Sequence, residues 1–198
     1  MESRTKVAGH PVHPMLVAFP IALFPTAVAF DIVYLVTDQP HWAEMSWYLI
    51  GVGILGGLAA AIPGWIDWFA IPRETRAKRI GLIHGAGNVV VLGLFILSWL
   101  LRRDTVSVPP TEGVVAGLLG AGLMAFTGWL GGELVDRLGV GVDDGAHLDA
   151  PSSLSERPAG AGLDLSRAGM SHGYWGAERR HFPQPAYAGV ERRRGARG

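Results

Sequence analysis

Apolar and polar positions alternate along this chain in long blocks. Four runs of about twenty apolar residues, near 15–36, 45–68, 80–101 and 113–132, are separated by short polar segments. Each run is long enough to cross the roughly 30 Å hydrocarbon core of a bilayer as a helix. The first is introduced by Gly9-His10-Pro11-Val12-His13-Pro14, and proline is well tolerated at a helix entry, which puts His13 near the N-cap. Pro20 and Pro25 interrupt this run and predict a kink. Ala27-Val28-Ala29 resembles a signal-peptidase site, but apolar sequence continues to Val36, as a span requires. Small residues four apart line faces of the later runs, as at Gly53 and Gly57, Gly81 and Gly85, and Gly113 and Gly117, and allow close helix approach.

The pattern predicts an all-α fold: an integral membrane four-helix bundle over 15–137, with a polar N-terminal segment at 1–14. Residues 138–198, rich in Gly, Ala, Pro, Ser and Arg, lack apolar periodicity and read as a disordered tail. The two hairpins also resemble each other. One runs from His13-Pro14 to Ala61-Ile62-Pro63-Gly64-Trp65-Ile66, the other from His84-Gly85 to Ala125-Phe126-Thr127-Gly128-Trp129-Leu130. An even number of spans between equivalent helices makes these parallel repeats, related by a pseudo-two-fold along the membrane normal.

Composition agrees, with charged residues at only 17 %. There is no Cys, which excludes thiolate-ligated metal sites. Charge placement adds orientation. With the N-terminus inside, Arg4, Lys6, the loop Arg73, Arg76, Lys78 and Arg79, and the arginine-bearing tail lie on one side, against Arg102 and Arg103 on the other. The positive-inside rule then puts both termini in the cytoplasm of a multi-pass inner (plasma) membrane protein.

In that topology His10, His13, Asp67, His84, Asn88 and Glu133 gather near one end of the bundle. His84 and Asn88, four apart, share a helix face. Ionisable residues in spans usually face the bundle interior. His13 and His84 are the strongest inward candidates. Both are expected in first turns, where the helix dipole favours neutral, ligating imidazole. Such a pair suits axial ligation of haem b, with Asn88 beside it. With His10, Asp67 and Glu133 it suits a divalent metal. Headgroup-level hydrogen bonding is the plain alternative for Asp67 and Glu133, and Asp31 is expected to be an interfacial acid near the outer end.

The His13-to-Leu23 opening H-P-M-L-V-A-F-P-I-A-L, the Gly64-to-Trp68 segment G-W-I-D-W, the His84 and Asn88 pair, the Gly128-to-Val135 segment G-W-L-G-G-E-L-V and Gly139-Val140-Gly141-Val142 together resemble the domain-of-unknown-function family 2231. The resemblance covers about 9–142 and implies a bacterial four-span membrane protein. Where the family pattern often has a tyrosine and a histidine after G-G-E-L-V, this chain has Asp136 and Leu138. Some relatives are joined to redox domains such as Rieske proteins, which implies an electron-transfer setting. The family has no established activity.

Three function classes follow. The first is a membrane protein holding a His-ligated haem or metal for a membrane redox partner. The second is a structural or assembly subunit, homo-oligomeric or within a complex, with no cofactor. The third is a small transporter or proton path. The bilayer is the expected partner in all three and nucleic acid in none. No catalytic motif such as G-x-S-x-G, a P-loop or a dinucleotide fingerprint is present, so no enzyme activity is expected.

Overall fold

Local signals set where each helix begins and ends. The computed structural model describes residues 1–155 and 157–162. After a two-stranded turn, β1 (Lys6–Val7) pairing antiparallel with β2 (His10–Pro11), come α1 (Val12–Leu16) and α2 (Ala18–Thr37). Only Val17 separates them. The break has a covalent cause three residues on: Pro20 has no N–H for the carbonyl of Leu16. Pro25 stays inside α2. Asp38 ends α2 in the left-handed conformation, at φ 54, which Asp tolerates better than most residues. Pro40 occupies the first turn of α3 (Pro40–Ala70), where a missing N–H costs nothing. The Thr75 side chain caps α4 (Arg76–Arg102), accepting from the Lys78 N–H at 3.1 Å. Pro110 precedes α5 (Thr111–Gly132), which widens into a π turn over Glu133–Arg137.

Four helical stretches, Val12–Thr37, Pro40–Ala70, Arg76–Arg102 and Thr111–Arg137, have the length and apolarity to span a membrane. Their outward faces carry large apolar side chains, among them Leu55, Ile62, Phe69, Leu119 and Phe126. In water such a surface would be costly; in lipid it is the expected exterior. The core is small: Phe24, Ala27, Val28, Ile50, Val91 and Phe95.

The bundle consists of two hairpins, α2 on α3 and α4 on α5, joined mainly through α3 and α4. Their equivalence is visible in side-chain contacts. Phe24 fills the space beside Gly53, where an added Cβ would lie 2.5 Å from its ring, and Phe95 does the same beside Gly120, at 2.9 Å. Phe24 and Phe95 stack on each other with centroids 3.8 Å apart. His13 lies against Gly64, and His84 against Gly131. His13 and His84, Phe24 and Phe95, and Asp31 and Arg102 are each separated by 71 residues. Gly53 and Gly120, and Gly64 and Gly131, are each separated by 67. The pseudo-two-fold therefore passes between members of each pair.

This corrects the register expected from the two Gly-Trp segments. The structural counterpart of Gly64 is Gly131, not Gly128. A Cβ on Gly128 would meet nothing within 4 Å. The Gly-Trp identity reflects a common interfacial composition, while the contacts follow the helix face that meets its partner.

Other expectations change as well. His84 is not in a first turn: Thr75 starts α4 earlier, and His84 lies about two turns inside it. The dipole argument therefore does not apply to it. Asp31 is no interfacial acid, and Arg102 is no loop residue. Their side chains are 1 % and 0 % exposed and pair bidentately, Nη1 to Oδ1 and Nη2 to Oδ2, both at 2.7 Å. The expected tail, 138–198, begins with ordered contacts. Gly141 N–H donates to Met1 O at 2.9 Å, and Lys6 pairs with Asp143. Residues 163–198, with their basic end, lie outside the described residues.

Candidate functional site

His13 and His84 meet on the pseudo-two-fold axis. Their ring centroids are 6.4 Å apart and their planes stand at 88°. Each ring is tethered in the same way to the second helix of its own hairpin. His13 Nδ1–H donates to Ala60 O, and His84 Nδ1–H to Thr127 O, both at 2.8 Å. With Nδ1 donating, Nε2 carries the lone pair, and this is the arrangement that outer hydrogen bonds impose on metal-ligating histidine.

Glycine makes the seating possible. A Cβ on Gly64 would lie 2.8 Å from His13 Cε1, and one on Gly131 would lie 3.1 Å from His84 Cε1. Any larger residue would push the imidazole off the helix that holds it. On one side only, a polar network backs the pair. Thr127 Oγ1 donates to Asn88 Oδ1 at 3.0 Å, and Asn88 Nδ2 donates to His84 O at 2.9 Å. The same Nδ2 is 3.4 and 3.2 Å from the two ring nitrogens, so it lies over the His84 ring and not in the plane of either lone pair. Val17 stands 71 residues before Asn88, so the network has no mirror image.

The other candidates are engaged elsewhere. Asp67 receives Ser3 Oγ and the Arg4 N–H, each at 2.7 Å, and so ties down the N-terminal segment. Glu133 pairs with Arg76 at 2.6 Å. His10 is exposed and donates to Ala8 O. Among the described residues no group of three or more His, Cys, Asp or Glu comes together to hold a metal.

A second polar centre sits on the same axis at the opposite end. Arg102 also donates Nη1 to Ser46 Oγ at 3.1 Å and Nη2 to Gly113 O at 3.0 Å, and Ser98 Oγ donates to Gly113 O. Along α4, His84 and Arg102 are separated by eighteen residues, about 27 Å. The two centres therefore lie toward opposite ends of the bundle, with the Phe24 and Phe95 stack between them. Sequence reasoning missed Arg102, Thr127, Gly64 and Gly131 as partners. Comparing the chain with itself at a spacing of 71 would have added the Phe24 and Phe95 pair to the histidine pair already expected.

Four apolar spans with a mostly apolar exterior and buried polar centres on the bundle axis define an integral membrane four-helix bundle. The chain belongs to the family described as predicted membrane protein (DUF2231), whose model matches residues 9–144. No curated protein and no solved structure matches it.

Proposed function

We propose that the protein holds one transition-metal centre, as haem iron or as a bare ion, between His13 and His84. The observation that carries this is the matched seating of the two imidazoles at 6.4 Å, each Nδ1–H tied to a backbone carbonyl. With metal–nitrogen bonds of about 2.0–2.1 Å, two imidazoles on one ion have centroids roughly 6 Å apart. In this reading the histidine end faces the cytoplasm of the inner membrane. Burial of Arg102 supports that orientation, because the two loops on the far side then expose Arg103, paired with Asp104, as their one Lys or Arg.

The test is metal analysis and a visible spectrum of the protein purified in detergent. One centre per chain is expected. His13→Ala and His84→Ala should each abolish it, and the double change should lose no more, because one missing ligand already breaks the site. A second reading, a structural subunit, is favoured by the engagement of Asp67, Glu133 and Arg102 in ties between segments. It predicts no centre and small, additive stability losses for the two histidine changes.

A further inference from the structure

We infer that the centre is a single cuprous ion held in line by the Nε2 atoms of His13 and His84; this rests on the reading that the pair ligates a metal. Donor count is the first argument. Structural zinc takes four protein ligands and catalytic zinc at least three, whereas no third His, Cys, Asp or Glu joins these two among the described residues. A filled-shell cuprous ion is satisfied by two nitrogen donors on opposite sides. Imidazole is among the ligands that suit copper.

Charge is the second argument. The desolvation cost of an ion scales with the square of its charge, and among the described residues no carboxylate joins the pair to offset a divalent one. Asp67 is committed to Ser3 and Arg4, and Glu133 to Arg76. Two neutral imidazoles around a monovalent ion leave a net charge of one in the bundle. A divalent ion would leave two.

Space is the third. The backbones of α3 at Gly64 and α5 at Gly131 lie against the ring edges, and the Asn88 and Thr127 network closes over His84. A planar macrocycle much wider than an imidazole would have to part these helices to come between the rings. The same crowding denies cupric copper its preferred tetragonal set of four donors. The site therefore holds copper in its reduced state and does not cycle it.

The experiment is an anaerobic titration of the full chain in detergent with cuprous ion, in competition with a colorimetric cuprous chelator. Zinc and haem are titrated in parallel, and X-ray absorption is recorded on the copper-loaded protein. The expected result is one copper per chain with two nitrogen scatterers. His13→Ala and His84→Ala should each weaken binding by more than the about 10–100-fold typical of losing an outer-shell partner. His84→Met supplies a thioether, a donor that selects cuprous copper, and should recover much of the copper binding but none for zinc. Preferential binding of zinc or haem that depends on both histidines overturns the cuprous assignment and leaves the metal reading standing. If copper, zinc and haem all fail to bind in a histidine-dependent way, both fall.

Discussion

Asp31 and Arg102 occupy equivalent places in the two hairpins and carry opposite charges. They form a bidentate ion pair across the pseudo-two-fold, with 1 % and 0 % of their side chains exposed. The axis that joins like with like at the histidines and phenylalanines joins unlike here. Two copies of either hairpin could not reproduce this contact, since two buried carboxylates or two buried guanidiniums would face each other.

Arg102→Ala is expected to destabilise the bundle by about 3–5 kcal/mol, the usual cost of leaving a buried charge without its partner. Asp31→Leu combined with Arg102→Met should recover most of that loss, because both desolvation costs vanish together. Unfolding in mixed detergent, followed by circular dichroism, measures both. A double variant no more stable than Arg102→Ala would show that specific hydrogen bonds to Ser46 and Gly113 hold this end, and not charge balance.

Gly53→Ala and Gly120→Ala should each destabilise by about 1–3 kcal/mol, since a Cβ would lie 2.5 Å from Phe24 or 2.9 Å from Phe95 in a stacked pair with little freedom to move. Gly93→Ala is the control: a Cβ there meets nothing within 4 Å, and the change should be neutral or mildly stabilising. Equal effects at all three positions would refute the packing account.

Reporter fusions at residues 40, 75, 107 and 198 should read out, in, out and in, as the lysine and arginine distribution requires. A fusion at 75 that reads outside would invert the bundle and put the histidine pair on the far side of the membrane.

The N-terminal segment should be held most firmly at intermediate pH. The hydrogen bond from Lys6, followed by the Asp144 N–H, holds the Glu2 carboxyl below its ordinary 4.5, and burial opposes them. The hydrogen bond to Asp143, then the one to Glu2, raises Lys6 above its ordinary 10.5. A lowered acid contributes its stability above 4.5 and loses it as pH falls through the lower folded value. A raised base contributes fully below 10.5 and loses it as pH rises through the higher one. Hydrogen exchange at the Gly141 and Val12 amides, corrected for intrinsic rate, should show protection inside that window and loss on both sides. Protection that does not change with pH would mean the ion pairs add nothing to the clamp.

Much of this architecture follows from local signals. Apolar length sets four spans, Pro40 and Thr75 set helix starts, and Pro20 sets the break after Leu16, because each acts through its own backbone or immediate neighbours. The pairing of His13 with His84 was legible for a related reason: each lies near the start of its hairpin's first long apolar run, and parallel repeats bring such positions to one end of the bundle. What the sequence could not carry was the inside of the bundle. In lipid a helix is apolar on every side, so no amphipathic stripe marks the face that meets its partners. Gly64 looks the same as Gly128 or Gly131 until one sees which backbone an imidazole leans on. Arg102 sits beside Arg103 in sequence, and only the position of Asp31, 71 residues earlier and across the axis, turns one of them inward. Span number, helix limits and charge bias were determined by the chain on its own. Register and the buried ion pair were decided by tertiary contact, because each depends on a group in another helix.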